Sequence, residues 1–247
     1  MIYPKDKKYL EAAISGAANY LAHIKADLKL PPNIVMCPVS MLTKVVANNY
    51  KNKFYRLDGD IYVLEGYDAA FVTNFGMGAP AFAMMMEVLI GLGCKNFMLI
   101  GIAGALQKNL EIGDIVLCEK ALRDEGVSSS YVTPGHYSFP SVSLTQKVKD
   151  VLRDDKQDYH YGPTWTTDVL FRETAPEVKF YQENGVQTVE MEAAAAFAIA
   201  EHHKVNCGAM FAISDTLANL KWEPAFGHKN INDSMQQILK TCLKSFK

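Results

Sequence analysis

Apolar residues recur at helical spacing near the start of the chain. Leu10, Ala13, Ile14, Ala17, Ala18, Leu21, Ile24 and Leu28 predict a helix over residues 7–28. Pro31 and Pro32 then break it. Beyond them the pattern changes to short continuous apolar runs, as expected for strands covered on both faces. Residues 33–37, 54–57, 60–64, 69–74, 97–100, 115–118, 159–167 and 207–213 read as strands, several of them punctuated by glycine. Pro80 suits a first helical turn and opens a helix running to Leu92. Residues 143–153, 190–203 and 234–246 read as further helices. A polar stretch through Asn48, Asn49, Lys51, Asn52 and Lys53 predicts an exposed segment. Residues 124–141, rich in Ser, Gly, Pro and Tyr, predict a long loop, and such loops frequently carry function.

Strands alternate with helices, without repeat or linker. That argues for one α/β domain over residues 1–247, with residues 1–30 as an N-terminal helical extension. Sheets of this kind bind ligands beyond the carboxyl ends of their strands. Three motifs are expected where a strand stops: Gly76-Met77-Gly78, Gly101-Ile102-Ala103-Gly104 and Ser214-Asp215. They are expected to converge on one rim.

Composition narrows the function classes. Apolar residues make up 49% and charged residues 21%, so a full core needs no staples. The net charge of −2 excludes a broad electrostatic grip on nucleic acid. No apolar run is long enough to span a bilayer, and the first residues lack the apolar core of a signal peptide, which predicts a cytoplasmic protein with no membrane partner. Five cysteines without a C-x-x-C pair read as buried free thiols in a reducing compartment. No metal site is expected. His202-His203 looks like a ligand pair, but adjacent helical residues diverge by about 100° and do not share one ion easily.

Each chemical motif also has a plain structural reading. The glycines around Met77 permit a tight turn, and Gly78 lets the backbone come close to a ligand. Gly101-Ile102-Ala103-Gly104 lacks the Lys-Ser/Thr of a Walker loop. Glu190 and Glu192 flank Met191 ahead of an alanine run. They are either helix N-terminal charges or buried carboxylates that need donors, and a sugar diol supplies two. Asp215 is either a cap or a general acid at a strand end. Arg172 and Glu173 sit in a loop dense in hydrogen-bonding groups.

Taken together, these segments resemble the superfamily of purine nucleoside phosphorylases, uridine phosphorylases and methylthioadenosine/S-adenosylhomocysteine nucleosidases. The likeness runs from about Ile34 to the end. It rests on Phe75-Gly76-Met77-Gly78-Ala79-Pro80-Ala81, on Gly101-Ile102-Ala103-Gly104-Ala105 with Ile112-Gly113-Asp114-Ile115-Val116, on Val189-Glu190-Met191-Glu192-Ala193-Ala194, and on Ile213-Ser214-Asp215. The resemblance implies a three-layer α/β/α sandwich with a mixed, barrel-like central sheet, assembled as homodimers or homohexamers. It implies a small-molecule nucleoside as substrate and no cofactor, with inorganic phosphate as co-substrate in a phosphorylase. Glu192 would bind the ribose 2′ and 3′ hydroxyls. Met191 and Met77 would pack on the sugar, Phe171 or Leu170 beside it would lie near the base, and Asp215 would act at purine N7. Glu190, Gly78, Arg172 and Ser214 are expected among the substrate contacts. Uridine phosphorylases typically lack the Ser-Asp pair, which points to a purine.

One stretch departs from the family pattern. Phosphorylases usually carry Gly-Asp-Pro-x-Arg after the first strand, where this chain has Met36-Cys37-Pro38-Val39-Ser40. Leu99 stands where a second phosphate arginine is common, and Ile102 where a serine or threonine is usual. Ser40, Gly101, Ile102 and Ala103 therefore mark the expected phosphate or nucleophile site, without the arginine forks that grip phosphate. Arg56, Arg123 and Arg172, or a neighbouring subunit, are the candidate substitutes. The leading expectation is a phosphorylase that yields ribose 1-phosphate. A hydrolytic nucleosidase is the alternative, and a non-catalytic nucleoside-binding protein the third.

Overall fold

In the computed structural model, which describes residues 8–247, β1 (Asn33–Cys37) is buried at every position. Its alternate side chains serve different cores. Ile34 and Met36 pack in one, Val35 and Cys37 in the other. This two-sided burial is why the run reads as continuously apolar. The strands that follow are β2 (Asn52–Arg56), β3 (Asp60–Leu64), β4 (Ala69–Thr73), β5 (Asn96–Ala105) and β6 (Ile115–Asp124). Next come β7 (Tyr137–Ser138), β8 (His160–Thr167), β9 (Thr188–Glu190), β10 (Asn206–Thr216) and β11 (Glu223–Pro224).

The sheet is mixed and closes on itself. β5 runs parallel to β1 on one side and to β10 on the other. β10 pairs with β6, β6 with β8, β8 with β9, and β9 returns to the far end of β5. Those five strands form a closed barrel, and β1, β4, β3 and β2 extend from it as an open arm. The helices are α1 (Ala17–His23), α2 (Thr43–Asn49), α3 (Ala79–Gly91), α4 (Val142–Asp154), α5 (Ala175–Glu183), α6 (Ala193–His203) and α7 (Lys229–Ser245). Phe82 and Met86 of α3 share a core with Phe197 of α6. Val148 of α4 and Met235 and Leu239 of α7 fill the opposite core. The result is the three-layer α/β/α sandwich that the resemblance implies.

Several expectations shift. The N-terminal helix reduces to a 3-10 turn at Lys8–Leu10 and to α1, because Gly16 adopts an extended conformation between them. Leu10 and Ile14 are consequently exposed, and residue 7 of the expected helix lies outside the described residues. α5 lies where no element is predicted. Thr174 and Glu177 form a capping box there, with the Thr174 amide donating to Glu177 at 3.1 Å. The polar stretch around Asn48 is exposed as expected, although it ends α2 and starts β2. All five cysteines are buried free thiols, and burial pushes the Cys37 thiol up to about 12. Among the described residues no helix is long and apolar enough to cross a membrane.

Candidate active site

Only one of the three motifs follows a strand end. Gly76-Met77-Gly78 turns the chain from β4 into α3, with φ of 96° at Gly76 and 91° at Gly78. Both values lie in the region that glycine alone enters without strain. Gly101-Ile102-Ala103-Gly104 belongs to β5 itself, which continues to Ala105 rather than stopping at residue 100. A Cβ on Gly104 would lie 3.0 Å from Asp215 Oδ2 and 3.1 Å from Val189 Cγ1. The glycine there opens space between strands; it does not make a turn. Ser214-Asp215 likewise lies inside β10, at a bulge where Ile213 pairs with Ala103 and Asp215 with Gly104. A regular strand would send adjacent side chains to opposite faces. The extra residue at the bulge brings these two together, and Ser214 Oγ donates to Asp215 Oδ1 at 2.6 Å.

The expected convergence nevertheless holds. A cleft of about 450 Å³ is lined by Ser40, Met77, Ile102, Ser214, Phe226 and Gly227, among others. That volume falls within the range of small-molecule sites. Met191 packs beside the glycine turn, its methyl 3.9 Å from where a Gly78 Cβ would stand. The Gly78 amide donates to Glu192 Oε1 at 2.6 Å. Glu192 is 7% exposed, and no second donor within hydrogen-bond distance comes from a side chain among the described residues. Burial pushes its carboxyl up, and the Gly78 and Met191 amides pull it partly back.

Glu190 has a different environment. Its Oε1 accepts from the Thr166 hydroxyl, and its Oε2 accepts from the Glu192 amide at 2.7 Å and the Ala193 amide at 2.8 Å. It ends β9 rather than starting a helix, and it caps the free amides of α6. Burial, with the Glu192 charge added, pushes it up as well. Both Glu190 oxygens thus have partners within the protein. The α6 segment behind it, Ala193 to Ala196, is fully buried, and its small side chains let the helix sit close to the sheet.

Phe171 and Arg172 are not brought to the cleft. Phe171 is 90% exposed, in a 3-10 turn at Leu170–Arg172. Arg172 lines a separate polar hollow with Asp124, Trp165 and Glu177. The other candidate cations are engaged elsewhere. Arg56 bonds Asp60 at 2.8 Å, and Arg123 donates to Ser128 Oγ and to the Thr133 carbonyl. Among the described residues no Lys or Arg lines the cleft beside Ser40 and Ile102. His203 bonds Glu87 and His202 meets the Tyr131 carbonyl, so the two adjacent histidines have separate partners.

Two residues join the site that sequence reading left without a role. Trp222 Nε1 donates to Asp215 Oδ2 at 2.9 Å. Glu173 lies near enough to Asp215 to feel its charge. Burial first, then Asp215 and Glu177, push its carboxyl up to about 7. Its folded value thus exceeds its unfolded one, and the folded chain binds the extra proton between roughly pH 4.5 and pH 7. The stability that this proton contributes is lost as pH rises through that window. Glu173→Gln is expected to raise the thermal midpoint at pH 8 more than at pH 5. An equal shift at both pH values refutes this.

Several known proteins are similar to this chain. A guanosine phosphorylase of Halorubrum lacusprofundi is 28% identical over 167 residues, covering 68% of each chain. A uridine phosphorylase of Thermococcus kodakarensis is 28% identical over 155 residues, which cover 58% of this chain and 56% of that protein. The crystal structure of an AMP nucleosidase from Bacteroides thetaiotaomicron superimposes with a TM-score of 0.75 at 23% identity, over 93% of this chain and 94% of that one. Residues 46–244, which carry the glycine turn, the Glu192 carboxylate and the Ser214-Asp215 bulge, match the family model of the phosphorylase superfamily, and this chain belongs to that superfamily.

Proposed function

We propose that this chain cleaves the N-glycosidic bond of a purine nucleoside, with water as the attacking group. The observation that carries the cleavage is the presence of two buried carboxyls beside elements that line the cleft: Glu192, bonded to the glycine turn that supplies Met77, and Asp215, on the β10 bulge that supplies Ser214. Glu192 has acceptor capacity left beyond the Gly78 amide, and a ribose diol offers two hydroxyl donors to it. Asp215 serves the base. As the C1′–N9 bond breaks, its electron pair passes to the purine, and the Asp215 proton goes to N7. An oxygen of water bonds C1′, and the water releases a proton that restores the acid. A pyrimidine has no N7, which is why this acid favours a purine.

The neutral wall beside Ser40 and Ile102 favours water over phosphate. A phosphate dianion in a cleft without arginine or lysine meets no fork and no opposite charge. Phosphorolysis is the second reading, and the names of the curated relatives favour it. Base release from guanosine, inosine and adenosine, measured with and without phosphate, separates the readings. Equal rates and free ribose are expected. A strict phosphate requirement with ribose 1-phosphate as product overturns the water reading. Release of base under neither condition overturns cleavage itself and leaves a nucleoside-binding protein.

A further inference from the structure

The chain beyond β10 folds back on the site. β11 pairs antiparallel with the end of β10, setting Pro224 opposite Asp215 and Glu223 opposite Thr216. The Ala225 amide donates to the Ser214 carbonyl at 3.0 Å, which extends the pairing to the bulge. Leu220 turns the connection with a φ of 57°. The segment then delivers two aromatic rings, Trp222 and Phe226, with centroids 6.0 Å apart. Phe226 and Gly227 line the cleft, while the Trp222 indole N–H reaches Asp215 Oδ2.

We propose that Trp222 is a positioning residue for the leaving-group acid, carried to it by the β10–β11 hairpin; this rests on the reading of Asp215 as that acid. Ser214 holds one carboxyl oxygen and Trp222 the other, so the plane of the group is fixed from both sides. A carboxyl tethered at one oxygen only rotates about its last bond, and a proton donor must keep hydrogen-bond geometry to the atom it serves. Indole has a donor and no acceptor, so it holds the acid without competing for its proton. The segment that follows β11 also walls the cleft, through Phe226.

The test compares a purine nucleoside with its N7-methyl counterpart, guanosine against 7-methylguanosine. The methylated base already carries positive charge, departs without a proton and has no N7 lone pair to receive one. Trp222→Phe keeps an aromatic ring and removes the N–H. It is expected to lower kcat on guanosine by about 10- to 100-fold, the worth of one hydrogen bond to a charged group. On 7-methylguanosine kcat is expected to stay within about threefold, which also reports an intact fold. Equal losses on both substrates, or no loss on guanosine, overturn the role of Trp222. Asp215→Asn is run beside it. If that variant cleaves guanosine at the full rate, the reading of Asp215 fails, whatever Trp222 does. If it loses guanosine and Trp222→Phe does not, only the positioning role fails.

Discussion

Glu192→Gln is expected to lower kcat/KM on a purine riboside by about 10²- to 10³-fold. The carboxylate is buried, and the Gly78 amide takes one oxygen at 2.6 Å. The ribose diol would donate to the remaining lone pairs through charge-assisted hydrogen bonds, each worth about 1.5–3 kcal/mol. Glutamine keeps the acceptor for Gly78 and turns an amide donor toward the hydroxyls. Two such contacts together are worth about 3–6 kcal/mol, and losing about 3–4 kcal/mol of that gives the expected factor. A 2′-deoxyriboside offers one hydroxyl fewer, so its loss is smaller. Steady-state kinetics on the ribo and 2′-deoxyribo forms of one base check this. The same fold loss on both forms means that Glu192 does not read the diol. Stability is not expected to fall, because the substitution removes a buried charge and keeps an oxygen to accept from Gly78.

How much of this was legible in the sequence depended on how local the cause was. β1 and β3 appear within their expected bounds, because two-sided burial leaves a continuous apolar run that turns delimit. The carboxylate of Glu192 was readable as buried from the alanines after it. The errors arise where one residue type has two physical uses. Gly101 and Gly104 read as a turn, but glycine also permits strands to approach, and here Gly104 makes room for Asp215, Val189 and Leu217. Glu190 and Glu192 look alike in sequence. Only the tertiary placement of Thr166, and of the amides at the start of α6, gives Glu190 three donors where Glu192 meets the Gly78 amide. The capping box of Thr174 and Glu177 was a local signal hidden among polar neighbours. Trp222 gave no signal at all, since a loop residue acquires its partner only when the hairpin closes on β10.

Asp215→Asn is expected to lower kcat on guanosine or inosine by about 10²- to 10⁴-fold, the usual contribution of a positioned acid. The substitution is nearly isosteric, so packing at the bulge is kept. Two things change. The amide has no proton to give to N7, and its nitrogen is a donor that cannot accept from both Ser214 and Trp222, as the present carboxyl does. One of those donors is left unpaired in a buried site, which disturbs the base pocket as well as the chemistry. The two effects separate with the leaving group. Loss of the proton alone spares 7-methylguanosine, whereas a disturbed pocket depresses both substrates. A large selective loss on guanosine identifies Asp215 as the acid. A loss of equal size on both makes it a base-binding residue that transfers no proton. Retention of full activity on guanosine would remove Asp215 from the mechanism.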